Sequence, residues 1–147
     1  MKNITKLTIH EQLNGLQKKE FTAVELTEAY LENIQAGKHY NAYITECDEK
    51  ALEQAGQADR HYADGSNRAL EGIPLGIKDL FCTKGIRTTA CSHILDNFIP
   101  PYESTVTKKL LDDGAIFLGK LNMDEFAMGG SNETSYFGPV INPWSKD

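Results

Sequence analysis

Two short apolar runs, "IPLGIKD" (73–79) and "AIFLGKLN" (115–122), flank the segment "STVTKKLLDDG" (104–114). This order limits the fold more than any other feature of the chain. Both runs have strand length. The segment between them reads as a helix, with Ser104 as its N-cap and Gly114 as its stop. Strand, helix and strand in that order predict a crossover unit and an at least partly parallel sheet. The expected fold class is therefore α/β.

The N-terminal half supports this reading. "TIHEQLNGLQKKE" opens with Thr8 and Glu11 at capping-box spacing and carries Ile9, Leu13 and Leu16 on one stripe. "TAVELTEAYLENIQAG" repeats the device with Thr22 and Glu25, lines a face with Ala23, Leu26, Tyr30 and Ile34, and places Gly37 where a left-handed C-terminal residue is expected. "YNAYITECD" (40–48) alternates as a strand does. Residues 48–65 predict a third helix whose stripe, Ala51, Ala55, Ala58 and Tyr62, is small enough for close packing; His61 beside it is expected at the solvated surface. At 147 residues the chain suits one domain better than two.

Lys78 is the anomaly. In "IPLGIKD", Ile73, Leu75 and Ile77 share one face of the predicted strand, and Pro74, Gly76 and Lys78 share the other. If the second face is wet, Lys78 snorkels from a strand end, with Asp79 as an ion-pair partner. If helices cover both faces, burial disfavours the ammonium and turns the lysine towards a base near neutral pH. The residues of the strand alone leave both readings open.

Composition removes other classes. A net charge of −6 argues against a phosphate-binding surface on this chain. The first residues lack the apolar core of a secretory signal, and no apolar run approaches the ~18 residues that span a bilayer. Cys47, Cys82 and Cys91 form no CxxC pair, so reduced thiols and a cytoplasmic location are expected. His10, His39, His61 and His93 are scattered, and no metal site is expected. "AMGGSN" (127–132) lacks the lysine and hydroxyl of a P-loop. Asp124 and Glu125 resemble a carboxylate pair for acid/base work or a metal, but adjacent residues diverge on a helix, and a helix-start role is preferred. The stretch from Asn122 onward is rich in Gly, Ser, Asn and Pro and is irregular over a length that is often functional.

"GIPLGIKDLF", "KGIRTTACS" and "STVTKKLLDDGAIFLGKLNMDEFAMGGSNETSYFGPVINPW" together resemble the amidase signature family, and "GKLNMDEFAMGGSNETS" is most similar to its tRNA-dependent amidotransferase branch. The resemblance runs along essentially the whole chain. It implies the N-terminal part of a single amidase domain, a mixed sheet with helices on both faces. It implies a catalytic serine, a second serine joined by a cis peptide and a lysine, and Lys78 matches that lysine. The lysine would act as the ultimate base, taking a proton through the bridging serine so that the nucleophilic serine can attack a primary amide. Both serines belong to a Gly/Ser-rich signature beyond the segment matching "INPW"; Ser131 and Ser135 match neither, so this chain is expected to be inactive by itself. The backbone of Met128, Gly129 and Gly130 corresponds to the lining of the amide pocket. No cofactor is implied in this chain. The implied partners are the amidotransferase's B and C subunits. ATP and Mg are implied at the former, which would amidate misacylated Glu-tRNA(Gln) or Asp-tRNA(Asn) with ammonia from glutamine; the latter is small and would complete the complex. Two other readings stand beside this one: a stand-alone amidase for small amides, and a non-catalytic remnant or interaction piece.

Overall fold

The computed structural model describes residues 3–144. Four α-helices, α1 (Ile9–Gln17), α2 (Ala23–Ala36), α3 (Asp48–Asp64) and α4 (Thr105–Asp112), accompany strands β1 (Tyr43–Glu46), β2 (Pro74–Lys78) and β3 (Ile116–Leu121). The strands form one sheet in the order β1-β3-β2. β1 runs antiparallel to β3. From Ile116 N to Ile73 O and from Asp79 N to Leu121 O the register climbs along β2 and β3 together, so that pair is parallel, and α4 lies in the crossover. The sheet is mixed and the class is α/β, as expected.

The helix starts follow their sequence signals. Thr8 and Glu11 form a reciprocal capping box. Thr22 and Glu25 do the same: Thr22 N donates to Glu25 Oε2 at 2.7 Å, and Glu25 N to Thr22 Oγ1 at 3.0 Å. Ser104 Oγ accepts from Thr107 N at 3.2 Å at the head of α4. The end of α2 differs from expectation. Gly37 has φ −93°, and the chain continues through a 3-10 turn (Lys38–Tyr40) to Asn41, which carries the left-handed conformation at φ 55°. Asparagine is one of the few non-glycine residues that visit that region, and the Asn41 side chain is held by the carbonyls of Phe137, Gly138 and Pro139, so the stop is displaced by four residues.

By internal contact the chain divides into two units. The first takes the segment through Asn33, Cys47–Leu75 and Lys109–Leu118. Its core holds Leu16, Ala23, Leu26, Leu31 and the Ala51, Ala55, Ala58 stripe, each nearly or wholly buried. Ile9, expected on the buried stripe of α1, is 52% exposed, and Gln12 and Gly15 are buried in that helix with Leu16. Asp59 of α3 caps α2 from outside, accepting from Ala23 N at 2.7 Å and Val24 N at 3.2 Å. His61 is not simply solvated: its Nδ1 lies 3.1 Å from Oε1 of buried Glu71, which Arg68 also grips through Nε at 2.7 Å and Nη2 at 2.9 Å. Burial pushes the Glu71 carboxyl up, but the hydrogen bonds from Arg68 and His61 outweigh it and hold the group below the usual carboxylate value.

The second unit takes Ile34–Glu46, Gly76–Lys108 and the chain from Gly119 on. Within it β1 approaches β3 closely at Gly119, where a Cβ would stand 2.3 Å from Thr45 O; with φ at +156°, no other residue fits without a shift. All the candidate site residues named from sequence belong to this unit.

Candidate functional site

Lys78 ends β2 and is exposed, against the expectation that a covered sheet would bury it. Its neighbours on the strand explain why: Ile77 and Asp79 turn inward, so alternation sends Lys78 outward. Among the described residues no hydrogen bond or ion pair engages its ammonium. Asp79 does not pair with it either. Its carboxylate is fully buried and faces the segment 89–91: Oδ2 accepts from Thr89 N at 3.1 Å, Thr89 Oγ1 at 2.5 Å and Cys91 N at 3.3 Å.

This carboxylate fixes an unusual turn. Ala90 and Cys91 are both left-handed, at φ 50°, a conformation that costs a non-glycine residue about 1–2 kcal/mol. The bonds to Asp79 hold them there, helped by Ala90 N donating to Asp79 O at 3.0 Å. The turn then grips the irregular tail: Phe126 N donates to Ala90 O at 2.9 Å and Tyr136 N to Cys91 O at 2.9 Å. Cys91 is wholly buried, and burial pushes its thiol up, which suits a packing residue rather than a nucleophile.

Polar side chains shape the tail. Asn122 Oδ1 accepts from Met123 N at 2.8 Å and Ser135 Oγ at 2.7 Å, and its Nδ2 donates to Asn41 O and Gly138 O, each at 2.9 Å. Asp124 closes the loop over the glycines, accepting from Asn132 N at 2.9 Å and from Thr134 N and Oγ1 at 3.2 and 2.9 Å. The Asn132 amide, ahead of the Thr134 hydroxyl, holds the Asp124 carboxyl below its usual value. The helix-start role expected for Asp124 is therefore replaced by a loop-closing one; it precedes a short 3-10 turn (Glu125–Ala127) without capping it. Glu125 bonds elsewhere, accepting from Ser92 Oγ at 2.5 Å, so the two carboxylates serve separate partners.

The predicted pocket segment sits on this loop. A Cβ at Gly129 would stand 2.4 Å from the Asp124 carboxyl carbon, so the loop closure itself requires that glycine. Gly130 is in open space and Met128 is 79% exposed; no local contact accounts for either. Lys78 and this loop are linked through two backbone bonds, from Asp79 to Ala90 and from Ala90 to Phe126. Ser131 Oγ bonds Glu133 and Ser135 Oγ bonds Asn122, and neither reaches a lysine among the described residues.

The structure adds a second lysine that sequence reasoning does not mark. Lys120, in β3, is fully buried, and its Nζ donates to Phe81 O, Thr83 Oγ1 (3.2 Å) and Thr88 Oγ1 (3.0 Å). The signal for it is a lysine central in a run otherwise apolar or glycine. Its three donors are satisfied by the segment that follows Lys78.

Three comparisons with known proteins bear on this geometry. The A subunit of glutamyl-tRNA(Gln) amidotransferase from Xanthobacter autotrophicus is 60% identical over 147 residues, which is 100% of this chain and 30% of that protein. The native peptide amidase of Stenotrophomonas maltophilia superposes with a TM-score of 0.86 at 31% identity, covering 95% of this chain and 30% of the amidase. The crystal structure of the A subunit of glutamyl-tRNA(Gln) amidotransferase from Thermotoga maritima gives a TM-score of 0.72 at 35% identity, covering 96% of this chain and 28% of that one. The chain thus spans about a third of the length of the relatives it matches. The amidase family model matches residues 25–147, and the chain belongs to the amidase family.

Proposed function

We propose that this chain forms the N-terminal part of the glutaminase subunit of a tRNA-dependent amidotransferase. The observation that carries the reading is the 60% identity, over the whole chain, to the A subunit of a glutamyl-tRNA(Gln) amidotransferase. In this reading the full-length protein hydrolyses the side-chain amide of glutamine and passes ammonia to its larger partner, the B subunit. That partner holds ATP and Mg and amidates misacylated Glu-tRNA(Gln) or Asp-tRNA(Asn). The small C subunit completes the complex, and the assembly works in the cytoplasm. No helix among the described residues is long and apolar enough to cross a membrane.

Lys78 is the base in this reading. In this reading the remainder of the full-length protein covers its exposed side chain and delivers the two serines. The backbone of Met128, Gly129 and Gly130 borders the amide. Gly130 and Met128 fit that role because nothing in the loop explains their openness, whereas Gly129 is accounted for by Asp124.

The peptide amidase likeness, at the higher TM-score of 0.86, favours a second reading: a hydrolase of other small amides. Ammonia release by the full-length protein from glutamine, measured against an amino-acid amide and a C-terminal peptide amide, separates the two. Glutamine as the preferred substrate by kcat/KM, with release stimulated by the partner proteins and misacylated tRNA, is the expected result. Preference for the peptide amide would overturn it.

A further inference from the structure

We propose that Asp79 is a positioning residue for the amide pocket, acting through the 89–91 turn on the loop that carries Met128–Gly130; this rests on the amidase reading above. Its place beside Lys78 in the sequence suggests an ion pair, and the geometry assigns it elsewhere. Its carboxylate is fully buried beside the strand end, with Oδ2 accepting from Thr89 N, Thr89 Oγ1 and Cys91 N and, at 3.9 Å, from Cys91 Sγ. Oδ1 has no hydrogen-bond partner among the described residues. A buried carboxylate left half-satisfied is costly. Burying it here secures two consecutive left-handed residues, Ala90 and Cys91, that no glycine eases.

What that turn does is specific. It presents Ala90 O to Phe126 N and Cys91 O to Tyr136 N, one on each side of the 128–130 segment. Phe126 and Ala127 are themselves left-handed, at φ 50° and 59°, so the approach to Met128 is over-determined from the turn. Loss of the Asp79 carboxylate frees the Thr89 amide and hydroxyl and leaves Cys91 N only its 3.1 Å bond to that hydroxyl, which relaxes the turn and loosens both anchors of the loop. Lys78 is bonded by none of these groups, so the damage falls on substrate binding more than on the proton transfer.

The test uses the full-length protein in its complex, with Asp79→Ala, Thr89→Val and Thr89→Ser. KM for glutamine rises about tenfold or more in Asp79→Ala and Thr89→Val while kcat falls less than about threefold, since a displaced pocket loop weakens binding and placement. Thr89→Ser keeps the hydroxyl and restores the parent KM. In parallel, hydrogen–deuterium exchange of peptides covering 89–92 and 125–137 speeds up in Asp79→Ala and Thr89→Val but not in Thr89→Ser. Unchanged exchange at 125–137 would overturn the coupling, whatever the activity. A fall in kcat at unchanged KM would place Asp79 on Lys78 instead and overturn it too. If the parent releases no ammonia from glutamine, the functional reading fails, and the exchange data still decide the structural coupling. If Asp79→Ala does not fold, the Thr89 pair carries the same comparison.

Discussion

Lys78 and Lys120 lie on adjacent strands and have opposite surroundings. One ends β2 exposed; the other is sealed in β3 with its ammonium on Phe81 O, Thr83 and Thr88. The residue patterns around them read alike, since each is a lysine in an apolar run. The difference comes from the segment 81–88 folding back over Lys120, a contact that periodicity does not encode. Replacing Lys120 with Met removes the donors and leaves three buried acceptors to find others, at about 1–3 kcal/mol. The expected outcome for Lys120→Met in the full-length protein is a lower denaturation midpoint, with the parent's kcat for ammonia release from glutamine retained in the molecules that remain folded. An inactive variant of parental stability would assign Lys120 a chemical role. Asp79 was legible as chemistry but not as direction: its neighbour in sequence is a lysine, and its partners lie ten and twelve residues on.

At the level of elements, helices and caps were the most readable, because Thr8, Thr22 and Ser104 act within four residues of themselves. The alanine stripe of α3 was readable too, and its close packing is observed, with Ala51, Ala55 and Ala58 at 1% exposure or less. The tail was not. Its order comes from Asn41, Asn122 and Asp124 binding backbone groups up to 98 residues away, which leaves no period to detect. The Arg68–Glu71–His61 cluster, which joins the last turns of α3 to the loop before β2, is hidden for another reason: a charged loop reads as solvated. It gives a pH-dependent prediction. The Glu71 carboxyl is depressed in the folded state, so its contribution is fully present above the unfolded value of about 4.3 and is lost as pH falls through the lower folded value. Glu71→Gln in the full-length protein is expected to cost about 2 kcal/mol at pH 7, the worth of hydrogen bonds to a charged group. The gap from the parent should close progressively below pH ~4. Denaturant midpoints at several pH values check this, and a gap independent of pH would refute the assignment.

For the molecule as a whole, family and class were both recoverable from sequence, since the match extends over "GIPLGIKDLF" and "GKLNMDEFAMGGSNETS" and the parallel β2–β3 pair follows from the crossover pattern. Whether Lys78 is buried was not recoverable, because cover over a strand end depends on chain that is distant in sequence. The described residues place no serine hydroxyl in a hydrogen bond with Lys78, so the 147-residue chain alone is expected to release no ammonia from glutamine above background. Release that survives purification and vanishes with Lys78→Ala would mean that Ser131 or Ser135 is a nucleophile after all. The central claim, that Lys78 is the base of an amidase, is tested most directly by steady-state ammonia release from glutamine by the full-length protein with Lys78 replaced by Ala and by Arg. Loss of an essential base costs about 100-fold or more, and a guanidinium stays protonated, so both variants should fall at least that far in kcat while remaining folded. Activity within about threefold of the parent in either variant would contradict the account.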